Sequence, residues 1–81
     1  MNAKTNENET ALKTLVDAAD KATTALNLKY RPMVIRDEST AFNIAARTKA
    51  GAVVLGEGAF WVVCLADATR LERAGYELAA N

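Results

Sequence analysis

Two apolar runs held apart by Gly56-Glu57-Gly58 constrain this chain more than any other feature: AVVL over Ala52–Leu55 and AFWVVCL over Ala59–Leu65. Short runs rich in valine and aromatic side chains suit strands, and a glycine-bounded break between two of them suits a β-hairpin. Along the second run, alternation sends Phe60, Val62 and Cys64 to one face and Trp61, Val63 and Leu65 to the other. Both faces are apolar, so this strand is expected inside a sheet, covered on both sides or partly covered by a partner. Asp67 reads as the N-cap of a helix over Ala68–Ala74, and Gly75 stops it. Tyr76–Ala79 fits either a last short strand or a final helical turn.

Upstream, Leu12, Leu15, Val16, Ala19, Ala22, Thr23 and Leu26 recur at three- and four-residue spacing, which predicts an amphipathic helix from about Asn8 to Leu26. Asn6 with Glu9 three residues on fits a capping box, and Asn27 fits a left-handed stop. Residues 1–7 are polar and are expected to be flexible, leaving 8–81 as one domain. YRPMVIR (Tyr30–Arg36) reads as a short strand, with Pro32 at its start or on an edge because proline has no N–H for a ladder. Asp37 suits the N-cap of a second helix over Glu38–Lys49, with Ala41, Phe42, Ile44, Ala45 and Thr48 as its apolar face and Gly51 as its stop. The expected fold is therefore α+β. An N-terminal helix precedes β-α-β-β-α and an optional last β, and the helices pack on an antiparallel sheet. With the last strand present, the final fifty residues would form a reduced ferredoxin-like arrangement.

Composition narrows the function. The chain has 81 residues, 51% of them hydrophobic but many of those alanine, so its core should leave a net stability of only about 3–5 kcal/mol. Partner binding or homodimerisation is a natural supplement, and the sequence leaves monomer and homodimer both open. Ten basic residues balance ten acidic ones, so no global field draws in nucleic acid or an anionic membrane. No run has the length of a membrane span and the N-terminus has no apolar signal core, which implies a soluble, cytoplasmic setting.

The chemistry of catalysis is sparse. The chain has no histidine and a single cysteine, Cys64, so the commonest general base, a thiolate metal cluster and an activated Cys–His pair are all missing. Gly56-Glu57-Gly58 is followed by a strand and not by a helix, and it carries a carboxylate, so it makes a turn rather than a phosphate cradle. No catalytic residue, cofactor or metal site is expected, and the chain is read as a non-enzyme. A basic group of Arg31, Arg36, Arg47 and Lys49, with Trp61 or Tyr30 to stack on bases, supports an alternative reading as a nucleic-acid-binding regulator. The leading reading is a protein-interaction module. Its partner-binding residues would be Glu57 at the hairpin tip, Arg47 and Lys49 at the end of the second helix, and Glu72 and Arg73 on the third, with Trp61 either filling the core or standing as a partly exposed anchor.

The stretch FWVVCLADATRLERAGYELA (Phe60–Ala79) resembles segments of small proteins carried by phages, plasmids and other mobile elements. The whole chain, short and alanine-rich, resembles the small anti-CRISPR proteins directed at type I (Cascade) systems. What that resemblance implies is a stoichiometric inhibitor that binds Cas proteins of a CRISPR–Cas surveillance complex and blocks recognition of target DNA. Those proteins share no common motif, so the resemblance assigns no role to any single residue. Its neutral charge departs from the strongly acidic DNA mimics among them and favours docking by shape.

Overall fold

The chain's structure, a computed structural model, describes residues 3–48 and 51–79, with side chains from Leu12 onward. Its elements are α1 (Ala3–Leu26), β1 (Met33–Ile35), α2 (Glu38–Arg47), β2 (Gly51–Leu55), β3 (Phe60–Cys64), α3 (Leu65–Arg73) and β4 (Glu77–Leu78). Helix α1 begins at Ala3, so Asn6 lies within it and not at its N-cap. Its other end follows the sequence: Asn27 takes φ 54° and the Leu28 N–H bonds the Thr23 carbonyl at 3.0 Å, a left-handed Schellman-type stop. Asp37 caps α2 as expected, accepting from the Thr40 N–H and hydroxyl, both at 2.8 Å. Helix α2 ends at Arg47, two residues early, and Gly51 is the first residue of β2 instead of a helix stop. A side chain at Gly51 would press on the Ala45 carbonyl, so glycine there lets β2 pass close beneath α2.

The four strands form one antiparallel sheet in the order β1-β3-β2-β4. Residues 77–78 are thus strand. Gly75 at φ 106° makes the break, with its N–H on the Glu72 carbonyl and the Tyr76 N–H on the Leu71 carbonyl, each at 3.0 Å. This arrangement is not ferredoxin-like. β1 and β2 run the same way with β3 between them, and β3 and β4 run the same way with β2 between them. Each pair is joined by a helix, giving two interleaved β-α-β crossovers that step in the same direction across the sheet on strands of opposite sense. If both crossovers share the usual hand, their helices must fall on opposite faces. They do: α2 covers one face, and α3, joined by α1, covers the other.

The alternation read from the hairpin holds. Trp61 and Val63 on β3 and Val54 on β2 face α1 and α3, packing with Ala19, Ala22, Leu28, Ala68 and Leu71. Val62 and Val53 face α2, packing with Ala41 and Ala45. Leu65 departs from that reading, because it already belongs to α3 and is exposed. At the turn, Gly58 takes φ 84°, and the Gly56 N–H bonds the Ala59 carbonyl at 2.9 Å. A β-carbon on Gly56 would fall inside the Trp61 indole, so this glycine is fixed by the core beneath it. Trp61 itself is 0% exposed.

Candidate interaction surface

The α2 face is closed less fully than the other. A groove of about 250 Å³ opens where the end of α2 passes over the start of β1 and the end of β3. Met33, Ile44 and Val62 make its apolar lining, joined by Tyr30, Arg31, Thr48 and the half-buried Cys64. Register explains the assembly: Met33 pairs with Val62 and Gly51 with Cys64, so these side chains meet at one end of the sheet. β1 is only three residues long and is an edge strand of the sheet among the described residues, and Met33 at its start is 50% exposed. Tyr30, at 62%, is more exposed still.

Asp67 holds this end of the molecule together. It is not the N-cap of α3; Cys64 occupies that position, with no side-chain capping bond. Asp67 lies in the first turn, 0% exposed, and accepts the backbone N–H groups of Lys29 at 2.8 Å and Tyr30 at 3.0 Å. Burial alone would push its carboxyl pKa up. The two N–H groups, the Cys64 thiol and the nearby Arg70 guanidinium outweigh that, and the pKa lies below the ordinary value. Arg70 also donates to the Asn27 carbonyl at 2.5 Å, a second tie between α3 and the end of α1. The segment that supplies Tyr30 and Arg31 to the groove is therefore pinned from below.

Of the residues read from sequence, Tyr30 and Arg31 line this groove, and Arg47 follows its lining residue Ile44 by three positions on α2. Lys49 falls outside the described residues. Glu57 is exposed at the hairpin tip, at the opposite end of the sheet, where it accepts a hydrogen bond from the Tyr76 hydroxyl at 3.2 Å. Burial, then the Glu57 charge and this bond, raise the Tyr76 pKa. Glu72 and Arg73 are exposed on α3, across the sheet from the groove. Trp61 is core, with nil exposure, so of its two readings packing holds and it is neither a partner anchor nor a platform for bases. Tyr30, Met33 and Ile44 were missed as a group because their meeting depends on strand order. The one local signal was a tyrosine and a methionine flanking an edge-strand proline, apolar residues where an edge has little core to join.

Among the described residues, no group of three His, Cys, Asp or Glu side chains could hold a metal ion, and no helix is long and apolar enough to cross a membrane. No family model, no curated protein and no solved structure matches the chain.

Proposed function

We propose that this chain is a non-enzymatic protein-interaction module that docks through the groove between α2 and the β1–β3 edge. The carrying observation is the groove itself: an apolar slot with Tyr30 and Met33 exposed beside it and Arg31 on its rim, on a segment fixed by Asp67. Aromatic residues, methionine and arginine are the types enriched where proteins dock, and a pinned surface loses little freedom on binding. The partner we propose is a Cas protein of a type I surveillance complex, with inhibition by blocking target-DNA recognition. This part rests on the resemblance of Phe60–Ala79 and of the whole chain to small mobile-element inhibitors. Its test is co-expression with a type I effector complex, followed by size-exclusion chromatography and a target-DNA binding assay. Co-elution at fixed stoichiometry with loss of DNA binding is expected. Separate elution with DNA binding intact overturns the partner assignment.

A second reading, a nucleic-acid-binding regulator, draws on the exposed Tyr30 with Arg31 and Arg36 nearby in the chain. It has lost Trp61 as a stacking platform. It requires retarded migration of duplex or single-stranded DNA that weakens steeply with salt, and unshifted DNA at low salt removes it.

A further inference from the structure

The ladder decides what β1 presents along its outer edge. The Gly56 N–H on the Ala59 carbonyl fixes which residues of β3 bond β2, and the Ala79 N–H on the Val53 carbonyl keeps the same alternation on β2. Carried through the register, Val62 and Phe60 bond Met33 and Ile35, so the Val34 N–H and C=O point away from the sheet. No loop, cap or side chain among the described residues bonds them. Apolar surface flanks them on both faces: Met33 is 50% exposed on the α2 side, and Val34 is half-buried on the other.

The sequence around this edge is complementary to itself. Lys29 and Arg31 precede the strand, and Asp37 and Glu38 follow it. An antiparallel second copy centred on Val34 sets Met33 against Ile35, Val34 against Val34 and Arg31 against Asp37. The two Val34 residues then exchange both backbone hydrogen bonds, and each Arg36 N–H meets a Pro32 carbonyl. Pro32 has no N–H to return, so the ladder ends there. Neighbouring registers fit worse. Pairing Ile35 with itself puts Met33 against Asp37. Pairing Met33 with itself puts Arg31 against Ile35 and needs the N–H that Pro32 lacks. Parallel pairing sets like charges side by side. Arg31 and Asp37 already have partners in their own chain, Asp20 and Thr40, so the charges choose orientation and register and are not the source of affinity. The other edge, β4, offers only two residues, one of them Glu77.

We infer that two copies of this chain associate through β1, pairing antiparallel about a two-fold axis at Val34 and joining two four-stranded sheets into one. The axis is perpendicular to the sheet, so both α2 helices lie on one side and both α1–α3 layers on the other. Affinity comes from the backbone bonds and from Ile35 of each copy against Met33 of the other, at the mouth of the groove. The inference goes beyond the proposed function and does not depend on which protein the chain inhibits.

The test is sedimentation of the full chain from about 10 µM to 1 mM, the range of a small and weak interface, with reductant present so that Cys64 forms no cross-link. The mass should rise from 8.7 kDa toward twice that value and stop there. Hydrogen exchange of the Val34 amide should slow at least about tenfold at the high end of the range. Val34→Pro removes the outward N–H and leaves every bond to β3, and it should weaken association at least about tenfold. Met33→Glu changes a half-exposed side chain and sets a carboxylate against Ile35 of the second copy. It should weaken association as much, and it decides the matter should Val34→Pro fail to fold by circular dichroism. A mass that stays at 8.7 kDa overturns the inference, as does a dimer that Met33→Glu leaves at full affinity. Val34 exchange that ignores concentration also overturns it. A mass that climbs past the dimer does the same, because it marks open-ended pairing of β1 with β4.

Discussion

The two faces of the sheet are built from the same strands and finished differently. Toward α1 and α3 lie the largest fully buried side chains, Trp61, Leu71 and Val54, with alanines at Ala19, Ala22 and Ala68 letting the helices come close. Toward α2 the buried set is Ala41, Ala45, Val53 and Val62, and the larger side chains around it, Ile35, Phe42, Ile44 and Phe60, are only half-buried. Three-turn α2 cannot cover a four-stranded sheet alone, whereas two helices can. Stability is therefore concentrated on one side, and accessible apolar surface on the other.

Substitutions should separate the faces. Trp61→Ala removes the centre of the sealed face and should destabilise by about 3–5 kcal/mol, enough to unfold a chain of this size in a denaturant titration followed by circular dichroism. Ile44→Ala, on the open face, should cost no more than about 1–2 kcal/mol because its side chain is already part-solvated. Comparable losses at the two positions would break the contrast.

Asp67→Ala strips the acceptor from two part-buried N–H groups and should cost about 1–3 kcal/mol. The pH dependence has a definite sign. Folding lowers the Asp67 pKa, so its contribution is complete above the unfolded value near 3.8 and fades as pH falls below that, through the lower folded pKa. Asp37, lowered by its bonds from Thr40, acts in the same direction. The wild-type chain should lose stability across that acid window, and Asp67→Ala should show a shallower loss in urea titrations at stepped pH.

Gly56→Ala, which drives a methyl into the Trp61 ring, should cost about 1–3 kcal/mol and lower the midpoint of thermal unfolding. Smallest of all, Arg31→Ala at the groove should change stability by less than about 0.5 kcal/mol, because its ion pair with Asp20 is solvated on both sides. A larger effect would mean that the lip is part of the scaffold.

Local chemistry was legible in advance. The hairpin, the Asp37 cap, the Asn27 and Gly75 stops and the two apolar faces of β3 each follow from a few adjacent residues, and the structure has all of them. What escaped was set by distance. Asp67 stands before an amphipathic run, where aspartate is a good cap, yet its partners are backbone groups 37 and 38 residues away. No local pattern encodes that bond. Gly51 likewise fits a helix stop by local pattern, whereas the close passage of β2 beneath Ala45 is what requires glycine there. The ferredoxin-like expectation fails because β4 lies beyond β2 instead of beside β1. The groove depends on that strand order and on the shortness of α2, so its residues carried no joint signal. Glu57, Glu72 and Arg73 were picked for charge near loops, and the fold sets them away from it.

Trp61 has an experimental consequence. It is the chain's only tryptophan, its Nε1 finds no acceptor among the described residues, and its ring lies 5.3 Å from that of Tyr76. An indole sealed in apolar surroundings emits at shorter wavelength than one in water, so its emission reports whether the α1–α3 face is closed. Cys64, the only thiol, lines the groove on the opposite face, where its rate of alkylation reports whether the slot is filled. The unaltered chain thus carries two optical and chemical probes, one for each side of its sheet. A ligand that slows the thiol reaction while leaving the emission spectrum in place must have bound without loosening the core.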